Sequence, residues 1–309
     1  MYYPYLRGRQ FELIALREYA ELRGGNNNII PIIEPVKKTF NSMKLALPKL
    51  ISGDVKFALV LNPQVGELIN SGNIIIDELK DILVDNSKWI PVFIVTNNYI
   101  EINDLISKLS YSDVMIFCSE QTDTNNKDFK NLVSLENVKF IVSKENRSLK
   151  RFIDGLGKDL IRLDDNFKSE KRNSDYLDSE EEKFTEEHYY YANDGYKGFS
   201  DFTPMVSEFI EGGSAPYAVA IHLTYSKTKE EIWIRHFTSV SNFDRANIQG
   251  KFAEAAKKAV VFLDKQEIHT LASEELRGYF NEAKYPGLGM VKKISIKHHL
   301  ELVNDSVII

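Results

Sequence analysis

A single cysteine, Cys118, among 309 residues excludes an intrachain disulfide and any cysteine-based metal knuckle. It falls in the apolar run Val114-Met115-Ile116-Phe117-Cys118, where an inert buried thiol is the expected state. No apolar stretch reaches the roughly 18 residues of a membrane span, and the opening Met1-Tyr2-Tyr3-Pro4 lacks the charged-then-apolar order of an export signal. A soluble, cytoplasmic protein is the expectation. Excess positive charge is missing too: 39 basic and 45 acidic residues give a net charge of −6, so no global field gathers nucleic acid or an anionic membrane. Catalytic signatures are absent, with no G-x-S-x-G, Walker A or H-E-x-x-H. Gly287-Leu288-Gly289 lacks the third glycine and the preceding strand of a dinucleotide fingerprint. His298 and His299, as neighbours on a helix, cannot chelate as an i,i+4 pair would.

What the chain does contain is a recurring unit. Asn28-Ile29-Ile30-Pro31-Ile32-Ile33-Glu34-Pro35-Val36-Lys37 is an apolar run that breaks into a carboxylate, a proline and a cation. Such runs read as strands buried on both faces, as in parallel sheets. Helical apolar spacing precedes it at 14–22 and follows it at 41–51. The pattern repeats with strands at 2–6, 56–63, 89–95, 113–118, 138–142 and 159–163, and helices at 74–83, 101–109 and 149–156. A polar segment, 166–179, is expected as a mobile loop after strand 7. The acidic run Glu180-Glu181-Glu182 is expected as a solvated face or helix start, and 184–192 as a helix. An eighth strand at 198–202 completes the number that closes a barrel.

Past that strand the rhythm changes. Residues 217–225 and 231–237 flank a charged turn and read as a hairpin, an addition spanning 215–238. The helical pattern at 252–263 is expected to be the barrel's closing helix. Residues 270–309 form a C-terminal helical addition. The expected fold is therefore α/β: one domain over 1–309, a TIM-like (β/α)8 barrel with an added β-hairpin and C-terminal helices.

The opening Pro4-Tyr5-Leu6-Arg7-Gly8-Arg9-Gln10-Phe11-Glu12-Leu13, with Pro31-Ile32-Ile33-Glu34-Pro35, Leu61-Asn62-Pro63 and Phe199-Ser200-Asp201-Phe202, resembles an uncharacterised bacterial family related to the phage-associated "Beta protein" family. The resemblance spans nearly the whole chain. It implies a TIM-like barrel and a role near phage or mobile-element conflict genes, and it supplies no catalytic residues.

In a (β/α)8 barrel the site lies at the C-terminal ends of the strands, where the βα loops converge. Those ends carry Arg7, Arg9, Glu34, Lys37, Asn62, Gln64, Asn97, Glu120, Lys144, Asp164 or Asp165, and Asp201. Arg7, Arg9, Glu34, Lys37, Asn62, Asn97, Lys144 and Asp201 are the ligand-binding candidates. Glu34, Asp164 and Asp201 could hold a divalent cation, Mg²⁺ or Mn²⁺, because hard cations take oxygen ligands. The bland alternative is that these residues cap helices, pair with one another and rim the barrel. Asp164 and Asp165, being adjacent, must face opposite ways, so only one enters the mouth. Gly8 should let the chain turn so that Arg7 or Arg9 reaches Glu34. His222 and His236 approach each other if the hairpin strands pair. Tyr189-Tyr190-Tyr191 and Trp233 could stack on a base, though packing is their expected use.

Two functions follow. The first is a ligand- or protein-recognition barrel in a bacterial anti-phage or mobile-element conflict system, with a protein partner or second copy held through the hairpin and C-terminal helices. The alternative is a metal-dependent phosphoester hydrolase or transferase using the same mouth, with Arg7, Arg9 and Lys37 on the phosphate.

Overall fold

The computed structural model describes residues 1–25, 27–69, 71–109, 111–212 and 215–307. The apolar runs become parallel strands and the amphipathic segments between them helices. In order these are β1 (Tyr5–Leu6), α1 (Gln10–Arg23), β2 (Ile32–Ile33), α2 (Asn41–Ser52), β3 (Phe57–Val60), α3 (Gly72–Leu79), β4 (Trp89–Val95), α4 (Tyr99–Leu109), β5 (Val114–Cys118), α5 (Lys127–Val133), β6 (Val138–Ser143), α6 (Arg147–Asp154) and β7 (Asp159–Leu163). Then come β8 (Glu181–Thr185), α7 (Glu187–Tyr190) and the last barrel strand, β9 (Gly198–Ser200). The barrel sheet runs β1 to β7 and then β9, every neighbour parallel. The N-terminal segment draws its two edges together. Tyr2 bridges both Ile29 and Phe199, and the N–H groups of Tyr3 and Tyr5 donate to the carbonyls of Phe199 and Asp201, each at 2.8 Å.

Period-two alternation separates two cores. Tyr3, Tyr5, Ile32, Val60, Ile94, Phe117, Phe140 and Leu163 fill the barrel interior. Leu6, Ile33, Leu59, Phe93, Cys118 and Phe199 point outward to the helices. That parity decides below which polar strand ends face the mouth.

The remaining chain forms a second layer, and three sequence expectations are corrected there. First, the hairpin of β10 (Ala220–Ser226) and β11 (Ile232–Thr238) takes a third antiparallel strand, β8, on the outer side of β11. Residues 180–185 are thus neither a helix start nor a free face. Phe184 is buried, while Glu181 lies opposite Arg235 and bonds it at 3.2 Å, and Glu182 pairs with Lys168 at 2.6 Å, so the acidic run is neutralised from both sides. Second, α8 (Ile248–Lys265) does not close the barrel. Its Phe252, Ala255, Ala256 and Ala259 pack on Val219, Ile221 and Phe237 of the small sheet. The place beside α1 goes to α10 (Leu288–Ser306), whose Ile296, Leu300 and Val303 join the outer barrel core. Helix α9 (Leu271–Asn281) packs on both α8 and α10, and a charge square of two buried lysines and two half-buried glutamates fastens it: Lys293 and Lys297 of α10 each bond both Glu18 of α1 and Glu275 of α9, at 2.6–2.9 Å.

Third, the segment 166–179, expected as a mobile loop, is pinned to the small sheet at Phe167 and Tyr176, while 168–172 are exposed. Its 3-10 turn Asn173–Leu177 inserts Tyr176, 4% exposed, against the imidazoles of His222 and His236, with ring centroids at 4.8 and 4.4 Å. An apolar body with a bonded hydroxyl accounts for this anchoring. No helix among the described residues is long and apolar enough to cross a membrane.

Candidate ligand site at the barrel mouth

Glu34 lies two residues past the inward Ile32 and so enters the barrel, where it is fully buried. An unpaired carboxylate there would be costly, and this one has three donors. The Tyr5 hydroxyl donates to Oε2 at 2.7 Å, the Gln64 N–H to Oε1 at 2.8 Å, and Arg7 Nη1 pairs with Oε2. Gly8 makes the Arg7 contact available. It takes φ +61°, and a Cβ there would stand 3.1 Å from the Glu34 carbonyl oxygen, so only glycine turns the chain from β1 into α1 along this path without strain. Burial and the Glu34 charge together push the Tyr5 hydroxyl well above its ordinary pKa, which keeps it a neutral donor.

A strap, residues 201–212, crosses beside this pair. Arg7 Nη2 donates to the Ser207 carbonyl at 2.6 Å, Arg9 donates to the Ile210 carbonyl and lies 4.7 Å from the Phe209 ring, and the Ser207 hydroxyl donates to Asp165. Lys37 ties the strap from outside, bonding Glu211 at 2.7 Å and Glu67 at 2.8 Å. Between strap and loops opens a cavity of about 690 Å³, within the range of small-molecule sites. Its floor is Tyr5, Ile94, Phe117, Leu163 and Phe202. Polar walls come from Thr96, Ser119, Gln121, Thr124, Ser143 and Asn146.

The sequence candidates divide on this geometry. Arg7, Glu34, Gln64, Glu120, Lys144 and Asp165 line the cavity. Arg9 and Lys37 serve the strap. Asn62 is a cross-strand clamp, its amide bonding the Ile94 carbonyl and N–H, both at 2.8 Å. Asn97 is not part of the lining and accepts a long bond from Tyr99 at 3.5 Å.

Asp164 and Asp201 are corrected as site residues, because parity turns both away from the mouth. Leu163 faces inward, so Asp164 faces out; Phe199 faces out, and Asp201 follows it. Asp201, 1% exposed, accepts from the Tyr2 hydroxyl at 2.6 Å and the Thr203 N–H at 2.8 Å, behind the barrel wall and 3.8 Å from His299 of α10. Asp164 pairs with Arg162 at 2.9 Å, and burial raises its pKa despite that partner. The trio Glu34, Asp164 and Asp201 therefore cannot share one ion. Among the described residues no three His, Cys, Asp or Glu side chains are placed to hold a metal.

Other titratable groups have structural duties. Arg162 also reaches Glu187 at 3.0 Å, yet burial, with Asp164 and Asp194 near, raises the Glu187 pKa to about 7. His222 and His236 are cross-strand partners with Nδ1 atoms 2.7 Å apart, and burial lowers their pKa values to about 3 and about 4. Two neutral rings sharing one proton are the consistent state. His298 bonds Thr270 and the Thr224 carbonyl; His299 bonds Thr224 and Tyr2. Cys118 sits on the outward face of its strand, and burial pushes its thiol up to about 12, so it offers no thiolate. Trp233 lies under Lys227 at 3.3 Å, and Tyr189 packs on Tyr190.

Sequence reasoning missed the aromatic floor and the strap. Tyr5 in the aromatic opening segment was the available signal for the floor; residues 201–212 have no periodicity to announce the strap. The fold and mouth together define a TIM-like (β/α)8 barrel with a polar cavity at the C-terminal face. No family model matches the chain, and no curated protein matches it.

Proposed function

We propose that this chain is a ligand-recognition barrel whose mouth takes a small polar molecule. The cavity of about 690 Å³ at the C-terminal face, with an aromatic floor and polar walls, carries this reading. The buried charges around it are already satisfied by one another, which suits a preformed pocket better than a site awaiting a metal. The phosphoester-hydrolase alternative loses its cation set, since Asp164 and Asp201 lie behind the barrel wall. It also loses Arg9 and Lys37, which are spent on the strap.

The context we propose, resting on the opening segment's resemblance to the "Beta protein" family, is phage or mobile-element conflict. The three-stranded sheet and C-terminal helices supply the surface for a partner or second copy; Val240 and Phe243, 63% and 92% exposed just past β11, favour such a contact.

A melting-temperature screen against sugars, nucleosides, amino acids, amines and phosphoesters tests the pocket. Gln121 is exposed at the cavity wall, so Gln121→Trp fills the space at little cost to the fold. A compound that raises Tm in the parent protein and not in Gln121→Trp supports the reading. Equal shifts in both proteins, or none from any compound, refute it.

A further inference from the structure

The class of ligand can be read from the charge left over in the mouth. Two cations, Arg7 and Lys144, line the cavity against five carboxylates: Glu34, Glu120, Glu145, Asp165 and Glu208. Each cation is already matched. Arg7 pairs with buried Glu34 and gives its other nitrogen to the Ser207 carbonyl; Lys144 pairs with Glu120 at 2.6 Å. Glu145 and Glu208 have no hydrogen bond or ion pair among the described residues, and Asp165 has only the Ser207 hydroxyl. Three carboxylates thus stand at the exposed rim of one cavity without a counter-charge among the described residues. A phosphoester would meet uncompensated negative charge and, among the described lining residues, no free cation.

The floor favours the same class. Phe117 and Phe202 flank Tyr5 with ring centroids at 4.8 and 5.3 Å, an aromatic cluster in the lining of the same cavity. One cation already uses it, since the Arg7 guanidinium lies 5.2 Å from the Tyr5 ring centroid. Aromatic faces attract cations most strongly where water is excluded, and Phe117 is only 6% exposed.

We propose that the mouth binds a small organic cation, an amine or guanidinium compound, between the carboxylates of Glu145, Asp165 and Glu208 and the aromatic floor of Phe117 and Phe202. This rests on the mouth being the ligand site. The carboxylates are at the exposed rim, so they act by drawing the cation in and orienting it, while the cavity walls supply hydroxyl and amide partners for the rest of the molecule. Binding is accordingly salt-sensitive.

The test is isothermal titration of the intact chain with agmatine, and with AMP and glucose as anionic and neutral arms. The proposal expects agmatine to bind and AMP not to. Each of Glu145→Gln, Asp165→Asn and Glu208→Gln should weaken agmatine about fivefold, the size of one exposed charge pair in water, and the triple variant should abolish measurable binding. Phe202→Leu, which keeps the apolar contact and removes the π face, should also weaken it. AMP or glucose binding that Gln121→Trp abolishes, with agmatine silent, overturns the cation class and leaves the mouth as the site. Agmatine binding unchanged in both the triple variant and Gln121→Trp overturns the two together. Silence in all three arms overturns the cation class, and the melting screen then decides the mouth separately.

Discussion

Removing the Glu34 carboxylate is the perturbation whose cost the structure defines best. Glu34→Ala deletes a fully buried anion and leaves Arg7, 19% exposed, without its charge partner. It also strands the Tyr5 hydroxyl and the Gln64 N–H. Breaking one side of a buried pair costs about 3–5 kcal/mol. The low end applies, because Arg7 keeps the Ser207 carbonyl and part of its guanidinium meets water. An orphaned buried hydroxyl adds about 1 kcal/mol, for a total of about 3–4 kcal/mol. Urea unfolding followed by tryptophan fluorescence, with the slope checked for constancy, measures it. Arg7→Met combined with Glu34→Leu should recover at least about 2 kcal/mol of that loss, since no charge is then left unpaired. A Glu34→Ala cost below about 1 kcal/mol, the range of surface substitutions, or a double variant no better than the single, would refute the pairing and the burial argument behind it.

Other expectations follow from the second layer. The folded-state pKa of Glu187, about 7, stands above its ordinary 4.5. Folding therefore favours the protonated acid, and stability should fall as pH rises from about 4.5 through 7. Glu187→Gln should flatten that slope and stabilise the protein at pH 8 by about 1–3 kcal/mol; an unchanged pH profile would count against it. Tyr176→Ala should cost about 3 kcal/mol in chemical unfolding, as for other buried aromatics, whereas a free loop would show almost no change. Light scattering should give a mass above the monomer that Val240→Ser with Phe243→Ser reduces; a parent protein that is monomeric on its own and with cell extract would contradict the interface.

The barrel was legible because continuous apolar runs alternating with helical patterns leave few other architectures. Which polar residues enter its mouth was only partly legible. Ile29 to Ile33 is apolar on both faces, so the sequence carries no parity for Glu34; the pairing of Tyr5 with Ile32 sets it. Asp201 was misplaced for the same reason, its two flanking phenylalanines masking the outward turn. Strand β8 escaped notice because the charge of its Glu181 is compensated by Lys227 and Arg235, more than forty residues on. The amphipathic face of α8 announced a helix without saying which of two cores it would cover. Pair energetics that depend on distant partners leave no local pattern to read.

The mouth itself can be tested most directly by a crystal structure of the protein soaked with the compound that the melting screen selects. The account requires density above Phe202 and Phe117, within hydrogen-bond reach of Asp165 or the Thr96, Ser119 and Asn146 side chains. Density confined to the outer surface, with only water in the mouth at saturating compound, would contradict it.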